Sequence, residues 1–229
     1  MTREQAVREV AEAIVAVERP HPVRVAVDGV GASGKTVFAD ALAEEVRRGG
    51  RDVVRVSIDG FHNPAATRTR QGADSPRGYY EDSFDYGAFT SHVLEPLGPG
   101  GSRSIRRAVF DFRTDSPVDS PVEDVAPDAV LIVDGIFLLR PELLAGWDYR
   151  VFVEVDFDVA LARALTRDLV LFGSAEAVEE RYRARYIPGE KHYLDTVGPA
   201  TLADVVIENN DFLNPGVRWC SNGRREETA

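Results

Sequence analysis

The stretch VRVAVDGVGASGKT, residues 23–36, decides how this chain is read. Residues 23–28 form a short apolar run ending in Asp28 and then Gly29, the pattern of a buried strand. Gly29, Gly34, Lys35 and Thr36 complete G-x-x-x-x-G-K-[ST]. Each residue type answers a need of phosphate binding. Glycines let backbone N–H groups turn inward around an anion. Lys35 brings a compact charge to the β and γ phosphates of a nucleotide, and Thr36 offers a hydroxyl to Mg²⁺. KTVFADALAEEVRRGG then reads as a helix stopped by Gly49 and Gly50, its positive end aimed at the anion. At ordinary glycine frequency a chance match is on the order of one per cent. The expected nucleotide site is Gly29, Val30, Gly31, Ala32, Ser33, Gly34, Lys35 and Thr36, holding ATP with Mg²⁺.

Outward from that stretch, DVVRVSID (52–59), AVLIVDGIFLL (129–139), YRVFVEVD (149–156) and ADVVIEN (203–209) read as further strands. Helical periods lie between them: Val7, Val10, Ala11, Ile14 and Val17 make one apolar stripe, and VALARALTRDLVLF and AEAVEERYRARY follow residue 156. Strands apolar on both faces and alternating with helices mean a parallel sheet covered on both sides. The expected fold class is α/β, a three-layer α/β/α P-loop NTPase with a mainly parallel five-stranded sheet and a small lid. Residues 1–229 read as one domain, with a core at about 20–210, an insert at about 60–125 and a lid at about 170–195. Residues 60–83 read as a long functional loop, 84–95 as a helix, and SIRRAVFDF (104–112) as β structure pairing near 122–125. The tail after Asn214 reads as irregular.

The composition is ordinary for a globular chain, 44% hydrophobic and 28% charged. A formal net charge of −11 repels a phosphate backbone, so no nucleic-acid partner is expected, yet a small anion can bind where local donors override the global field. The single cysteine, Cys220, excludes an internal disulfide and suits a reducing, cytoplasmic setting. MTREQAVREVAEAIVAVERP is too charged for a signal peptide, and no run approaches the ~20 apolar residues of a membrane span. The expected partner is a small-molecule acceptor, with no membrane and with room for a homo-oligomer.

Ligands of such sheets sit beyond the carboxyl ends of the strands, where Asp28, Asp59, Asp134 and Asp156 all fall. Asp134 is placed to hold Mg²⁺ with Thr36, and Gly135 beside it to leave room for phosphates. Asp156 reads as a turn residue. No guanine-reading N-K-x-D segment is present. Phosphoryl transfer to an alcohol needs a base, an acceptor pocket and cations over the transferring group. Asp59, in SIDGFH, ends its strand where the polar loop begins and reads as the base, with His62 orienting the acceptor.

GVGASGKT, SIDGFH, YYEDSFDYGAF, VFDFRTDS, VLIVDGIFLL, VFVEVDFDVALARALTRD and ADVVIEN occur in an order that resembles the uridine kinase-like family of P-loop kinases, in the group with phosphoribulokinase and pantothenate kinase. The resemblance covers residues 23 to 210 or so and implies a cytoplasmic kinase passing the γ phosphate of ATP to a hydroxyl of a uridine- or cytidine-like nucleoside. It implies that Asp59 is catalytic and that Phe84 and Asp85 line the nucleoside pocket, the carboxylate on sugar hydroxyls. It places Phe110 and Phe112 of VFDF in the same pocket, and Arg163 and Arg167 near acceptor and phosphates. Asp134 stands where the family has a Glu. Three departures fall on base recognition: Phe110 replaces a tyrosine, Asp115 stands at or near a histidine, and LFGSA (171–175) replaces an Arg-Gly-Arg stretch. Losing such groups relaxes or redirects a pocket. A kinase of pantothenate, a sugar or a sugar phosphate, and a nucleotide-binding regulator with little turnover, are the alternatives.

Arginines are abundant around these segments. Arg68, Arg70 and Arg77 lie on the long loop, and Arg181, Arg183 and Arg185 alternate in ERYRARY, a spacing by which at most one or two of them are expected to reach the site. Arg167 joins Lys35 as the expected catalytic cation, and Arg185 and Lys191 are candidates for the lid. Tyr79 is the aromatic candidate for stacking on an acceptor, and Trp147 reads as packing.

Overall fold

The computed structural model describes residues 1–220. Six strands form the central sheet: β1 (Val23–Gly29), β2 (Val53–Ser57), β3 (Val130–Gly135), β4 (Tyr149–Glu154), β5 (Val205–Glu208) and β6 (Gly216–Trp219). Their order is β6-β5-β4-β1-β3-β2. Neighbours run parallel except β6, which pairs antiparallel with β5. The five strands legible in the sequence are the five parallel ones. β6 is an addition, within a tail read as irregular. Its run is too short to announce itself, and it covers the edge that β5 would otherwise leave unpaired, with Val217 opposite Ile207. Positions 221–229 of that tail lie outside the described residues.

Every residue of β1 is buried, which follows from its central place in a sheet covered on both faces. Val25 and Val27 pack with Val10, Ile14, Phe38 and Leu42 of α1 (Arg3–Val15) and α2 (Lys35–Arg48). Ala26 belongs to the opposite core, with Phe61, Phe89, Leu131 and Phe152. The result is three layers, as expected.

Residues 60–83 are more ordered than a loop. A 3₁₀ turn at Ile58–Phe61 and a one-turn helix at Ala65–Arg68 precede α3 (Pro76–Asp82). The Ser75 side chain accepts from the Gly78 N–H, and Pro76 starts the helix, a start signal masked by the surrounding Gly and Arg. After β4 come α4 (Phe157–Arg167), α5 (Ala175–Arg181) and α6 (Ile187–Val197), and Ala32 of the glycine-rich loop packs with Leu161, Ala164, Val178 and Tyr182 of this region. The helix expected at 84–95 is an α turn at Tyr86–Phe89 running into a π turn at Thr90–Leu94. A second π turn, Tyr182–Tyr186, joins α5 to α6. Each π turn ends two residues before a proline, Pro96 or Pro188, whose missing N–H cannot serve the preceding turn. Ser104–Ile105 pairs with Glu123–Asp124, as the sequence suggested, and Phe110–Asp111 pairs with Ser116–Pro117. Among the described residues no helix is long and apolar enough to cross a membrane.

The register of the sheet positions the site. Val27 of β1 and Ser57 of β2 both stand beside Asp134 of β3, and Asp28 stands beside Gly135. The carboxyl ends of three strands are therefore adjacent. Gly135 corrects the sequence reading: a Cβ there would lie 2.3 Å from Ile58 Cγ2. Its smallness lets the Ile58–Phe61 turn, which carries Asp59, rest on β3. Gly135→Ala should overpack this contact and cost about 1–3 kcal/mol; urea unfolding with an unchanged midpoint would show that the contact is not tight.

Candidate active site

The glycine-rich loop between β1 and α2 is a turn that few residues can make. Gly34 has φ +90°, and a Cβ on it would meet Asn209 Nδ2 at 2.7 Å. The Ser33 carbonyl accepts from Asn209 Nδ2 at 2.6 Å and from Arg163 Nη1 at 3.4 Å. Arg163 also donates to the carbonyls of Asn209 at 2.7 Å and Asn210 at 3.1 Å. Arg163, which the resemblance puts near acceptor and phosphates, thus clamps the loop after β5 onto the phosphate cradle. Asp156 has a related structural part, its N–H and carboxylate bonding the Asn210 side chain. Asp28 is buried and accepts from the N–H groups of Gly29 and Leu139 and from the Tyr193 hydroxyl. Burial pushes the Asp28 carboxyl above its ordinary range.

The residues fit a nucleotide phosphate and its metal. Ser33 Oγ is buried with no hydrogen-bond partner among the described residues, a polar atom left over inside the cradle. Lys35 Nζ donates to the Val30 carbonyl at 3.2 Å. Thr36 Oγ1 donates to Asp134 Oδ2 at 2.6 Å, joining the loop to β3. Asp134 is 3% exposed, and its other oxygen accepts from Arg55 Nη2 at 2.9 Å. The hydroxyl and carboxylate oxygens of Thr36 and Asp134 are hard donors suited to Mg²⁺. Among the described residues no group of three or more His, Cys, Asp or Glu could cage a metal, which suits an ion held by few carboxylates and by substrate phosphates.

The acceptor side is built on the turn after β2. The Asp59 carboxylate is 59% exposed and makes no hydrogen bond among the described residues; His62 Nδ1 lies 4.0 Å away. His62 Nδ1 donates instead to the Asp59 carbonyl at 2.9 Å, which leaves Nε2 as an acceptor. The His62 ring lies between Phe84 and Phe112, with centroids 4.5 and 4.7 Å away. Burial pulls its pKa down, so the imidazole is neutral near pH 7. A cavity of 320 Å³ opens here, lined among others by His62, Tyr79, Phe112, Arg68, Arg181 and Arg185.

Of the expected acceptor residues, His62, Tyr79 and Phe112 line this cavity; Asp59 does not line it, and its carboxylate lies 4.0 Å from His62 Nδ1. Phe84 backs His62. Phe110 is buried in the hairpin, and Asp85 caps the Tyr86–Phe89 turn by accepting from the Ala88 N–H at 2.8 Å. Arg167 pairs with Asp168 at 2.7 Å and donates to the Tyr182 hydroxyl at 3.0 Å. Arg181 and Arg185 face the cavity while Arg183 pairs outward with Glu179. Trp147 packs, donating from Nε1 to the Leu138 carbonyl.

Glu190 is the residue that the sequence reading missed. It is 1% exposed, and its Oε1 accepts from the Gly31 N–H at 2.8 Å and from the Tyr79 hydroxyl at 3.2 Å. Gly189 makes this approach possible, since a Cβ there would lie 2.8 Å from Tyr79 Cδ1. The available signal was an acid at i+4 between Tyr186 and Tyr193 on one helix face. Arg55 was missed too, a charge in mid-strand with the same parity as Ser57.

A phosphate cradle bonded to an acidic strand end, with a small-molecule cavity one turn away, is the build of a P-loop kinase. This chain belongs to the Phosphoribulokinase / Uridine kinase family, whose model matches residues 25–211. It is 27% identical over 192 residues to a uridine kinase of Ligilactobacillus salivarius, covering 78% of this chain and 85% of that one. It is 29% identical over 193 residues to a uridine kinase of Geobacillus sp., covering 81% and 85%. The fold is similar to that of a possible uridine kinase from Bacillus stearothermophilus, with a TM-score of 0.70 over 88% of this chain and 97% of that chain; at 21% identity this likeness speaks for the fold alone.

Burial raises the Glu190 carboxyl to about 7, against the opposing pull of the Gly31 N–H and Lys35. The folded protein therefore holds a proton that the unfolded chain has already released, and stability falls as pH rises from the ordinary carboxyl range through about 7. Glu190→Gln, a neutral isostere, should remove that loss. Its Tm relative to wild type should rise between pH 5.5 and pH 8 by a few degrees, at about 2–4 °C per kcal/mol for a chain of this size. A Tm difference that is flat with pH would exclude a raised Glu190.

Proposed function

We propose that this protein transfers the γ-phosphoryl group of ATP to a hydroxyl of a small alcohol seated in the 320 Å³ cavity. Residues 29–36 hold the nucleotide phosphates, and the open groove lined by Arg163, Thr166, Arg167 and Phe212 offers a place for its base. Thr36 and Asp134 would hold Mg²⁺, which when bound neutralises charge on the β and γ phosphates. Asp59 accepts the proton of the acceptor hydroxyl as its oxygen bonds to phosphorus, and the bridging β–γ bond breaks with its electrons leaving on ADP. His62 Nε2 orients the acceptor, and Lys35 and Arg167 face the charge on the transferring group. Phe112 and Tyr79 give a flat ring something to stack on, so nucleosides, the acceptors named for the curated uridine kinases, are the first to try. The protein is expected to act in the cytoplasm.

The observation that carries this reading is the position of Asp59. A carboxylate that makes no hydrogen bond among the described residues stands 4.0 Å from His62, which lines the cavity, on the turn after the strand next to the one that meets the cradle. In a test of ADP release with Mg²⁺ and ATP, an acceptor should stimulate turnover. Asp59→Asn should lower kcat by about 10²–10⁴ with affinity for a non-hydrolysable ATP analogue unchanged. Turnover retained in that variant would remove Asp59 from the role of base. Nucleotide binding with no acceptor-dependent turnover would favour a regulator.

A further inference from the structure

The acceptor cavity holds more positive charge than a neutral alcohol needs. Arg68, Arg181 and Arg185 all line it, in a chain whose net charge is −11. Two of the three are matched. Arg68 Nη2 lies 3.3 Å from Asp115, and Arg181 Nη1 lies 2.7 Å from Asp74. Arg185 is different. It is 6% exposed and donates only to backbone carbonyls, those of Gly72, Ala73 and Arg68. Among the described residues no carboxylate lies within ion-pair distance of it. Asp82, whose field reaches it, is engaged by Arg70 and Gln71.

A buried guanidinium without a counter-charge is costly, because carbonyl dipoles replace water but do not cancel the charge. Burial lowers the Arg185 pKa, and the Arg181 and Arg68 charges push the same way. His62 adds no anion, being neutral, and Asp59 belongs to the reacting edge. The wall made by α5 and the π turn therefore presents an uncompensated cation to the cavity. Planar forks of this kind match phosphate and carboxylate oxygens two at a time.

We infer that the acceptor is an alcohol that already carries an anionic group, a phosphate or a carboxylate, seated against Arg181 and Arg185 while its hydroxyl reaches Asp59. This rests on the kinase reading above and narrows it. The anionic group is unchanged by the reaction; the hydroxyl loses its proton to Asp59 and gains the phosphoryl group, and ADP departs. The same wall disfavours uridine and cytidine, which have no anion to offer.

The test is steady-state ADP release for matched acceptors: ribulose against ribulose 5-phosphate, and glycerol against glycerate, with uridine and cytidine as neutral references. The anionic member of at least one pair should exceed its neutral partner in kcat/KM by about ten-fold or more, the scale of a charge-assisted hydrogen bond. The phosphate pair and the carboxylate pair separate the two anions. Arg181→Gln should shrink that ratio at least several-fold, a selectivity that a merely structural arginine would not move. A kcat/KM for uridine above that of every anionic acceptor overturns the inference and leaves the kinase reading standing. A ratio unchanged in both Arg181→Gln and Arg185→Gln removes the anion from this wall. Absence of turnover with all acceptors overturns the kinase reading and this inference with it.

Discussion

Thr36 reaches Asp134 only because β1 and β3 run parallel with their carboxyl ends level, and the rest of the site hangs on that register. A slip of one residue on β3 would turn Asp134 to the opposite face and remove both the loop's anchor and the carboxylate proposed to hold the metal. The position is demanding in a second way. Asp134 is almost fully buried, and an ionised carboxylate there needs compensation. Arg55 supplies it from β2, and also pairs with Asp40 of α2, so that the charge is shared between the sheet and the helix that follows the cradle. Each of three neighbouring strands thus contributes to one patch: β1 the loop, β3 the acid, β2 the arginine and the turn bearing Asp59.

The acceptor cavity and the phosphate cradle are joined by one carboxylate. Tyr79 lines the cavity and donates to Glu190, and the Gly31 N–H donates to the same oxygen. The side chain is held in place by backbone chemistry at some distance. Pro188 cannot complete the turn before it, the helix widens over Tyr182–Tyr186, and the start of α6 is set against α3 where Gly189 permits close contact. The same widened turn carries Arg185 to the cavity. Two polar residues, one facing each site, thus owe their aim to a single irregularity in one helix.

What the sequence made legible divides along physical lines. The cradle, the five parallel strands and the acidic strand ends were readable because strand burial and glycine turns leave local signatures. β6 was not, because its stability comes from an edge supplied by distant residues. Gly135 was assigned to phosphates because its partner, Ile58, is close in space and remote in sequence. At the acceptor side, His62 and Phe112 line the cavity, while Asp85 caps a turn and Arg163 braces the cradle, contacts made through space that residue type alone does not announce. Glu190 and Arg55 escaped notice because an isolated charge in a helix or strand normally means a solvated face, and only tertiary packing buries Glu190 and draws Arg55 into contact with Asp134.

The net charge of −11 would argue against anionic ligands if charge acted as a sum. It does not, because exposed charges are screened within about 8–10 Å, whereas buried ones keep most of their field. The exposed pairs Arg47–Glu44, Arg77–Glu81 and Arg183–Glu179 therefore contribute little to what a ligand feels. The groups that count are the less exposed ones: Lys35, half-buried in the cradle, and Arg185, buried by the cavity, neither paired with a carboxylate among the described residues. Their acidic neighbours are already engaged, Glu190 by Gly31 and Tyr79, Asp82 by Arg70 and Gln71. The surface would keep long polyanions at a distance while both sites keep local positive charge, so that the proposed binding of small anions depends on where the charges lie rather than on how many there are.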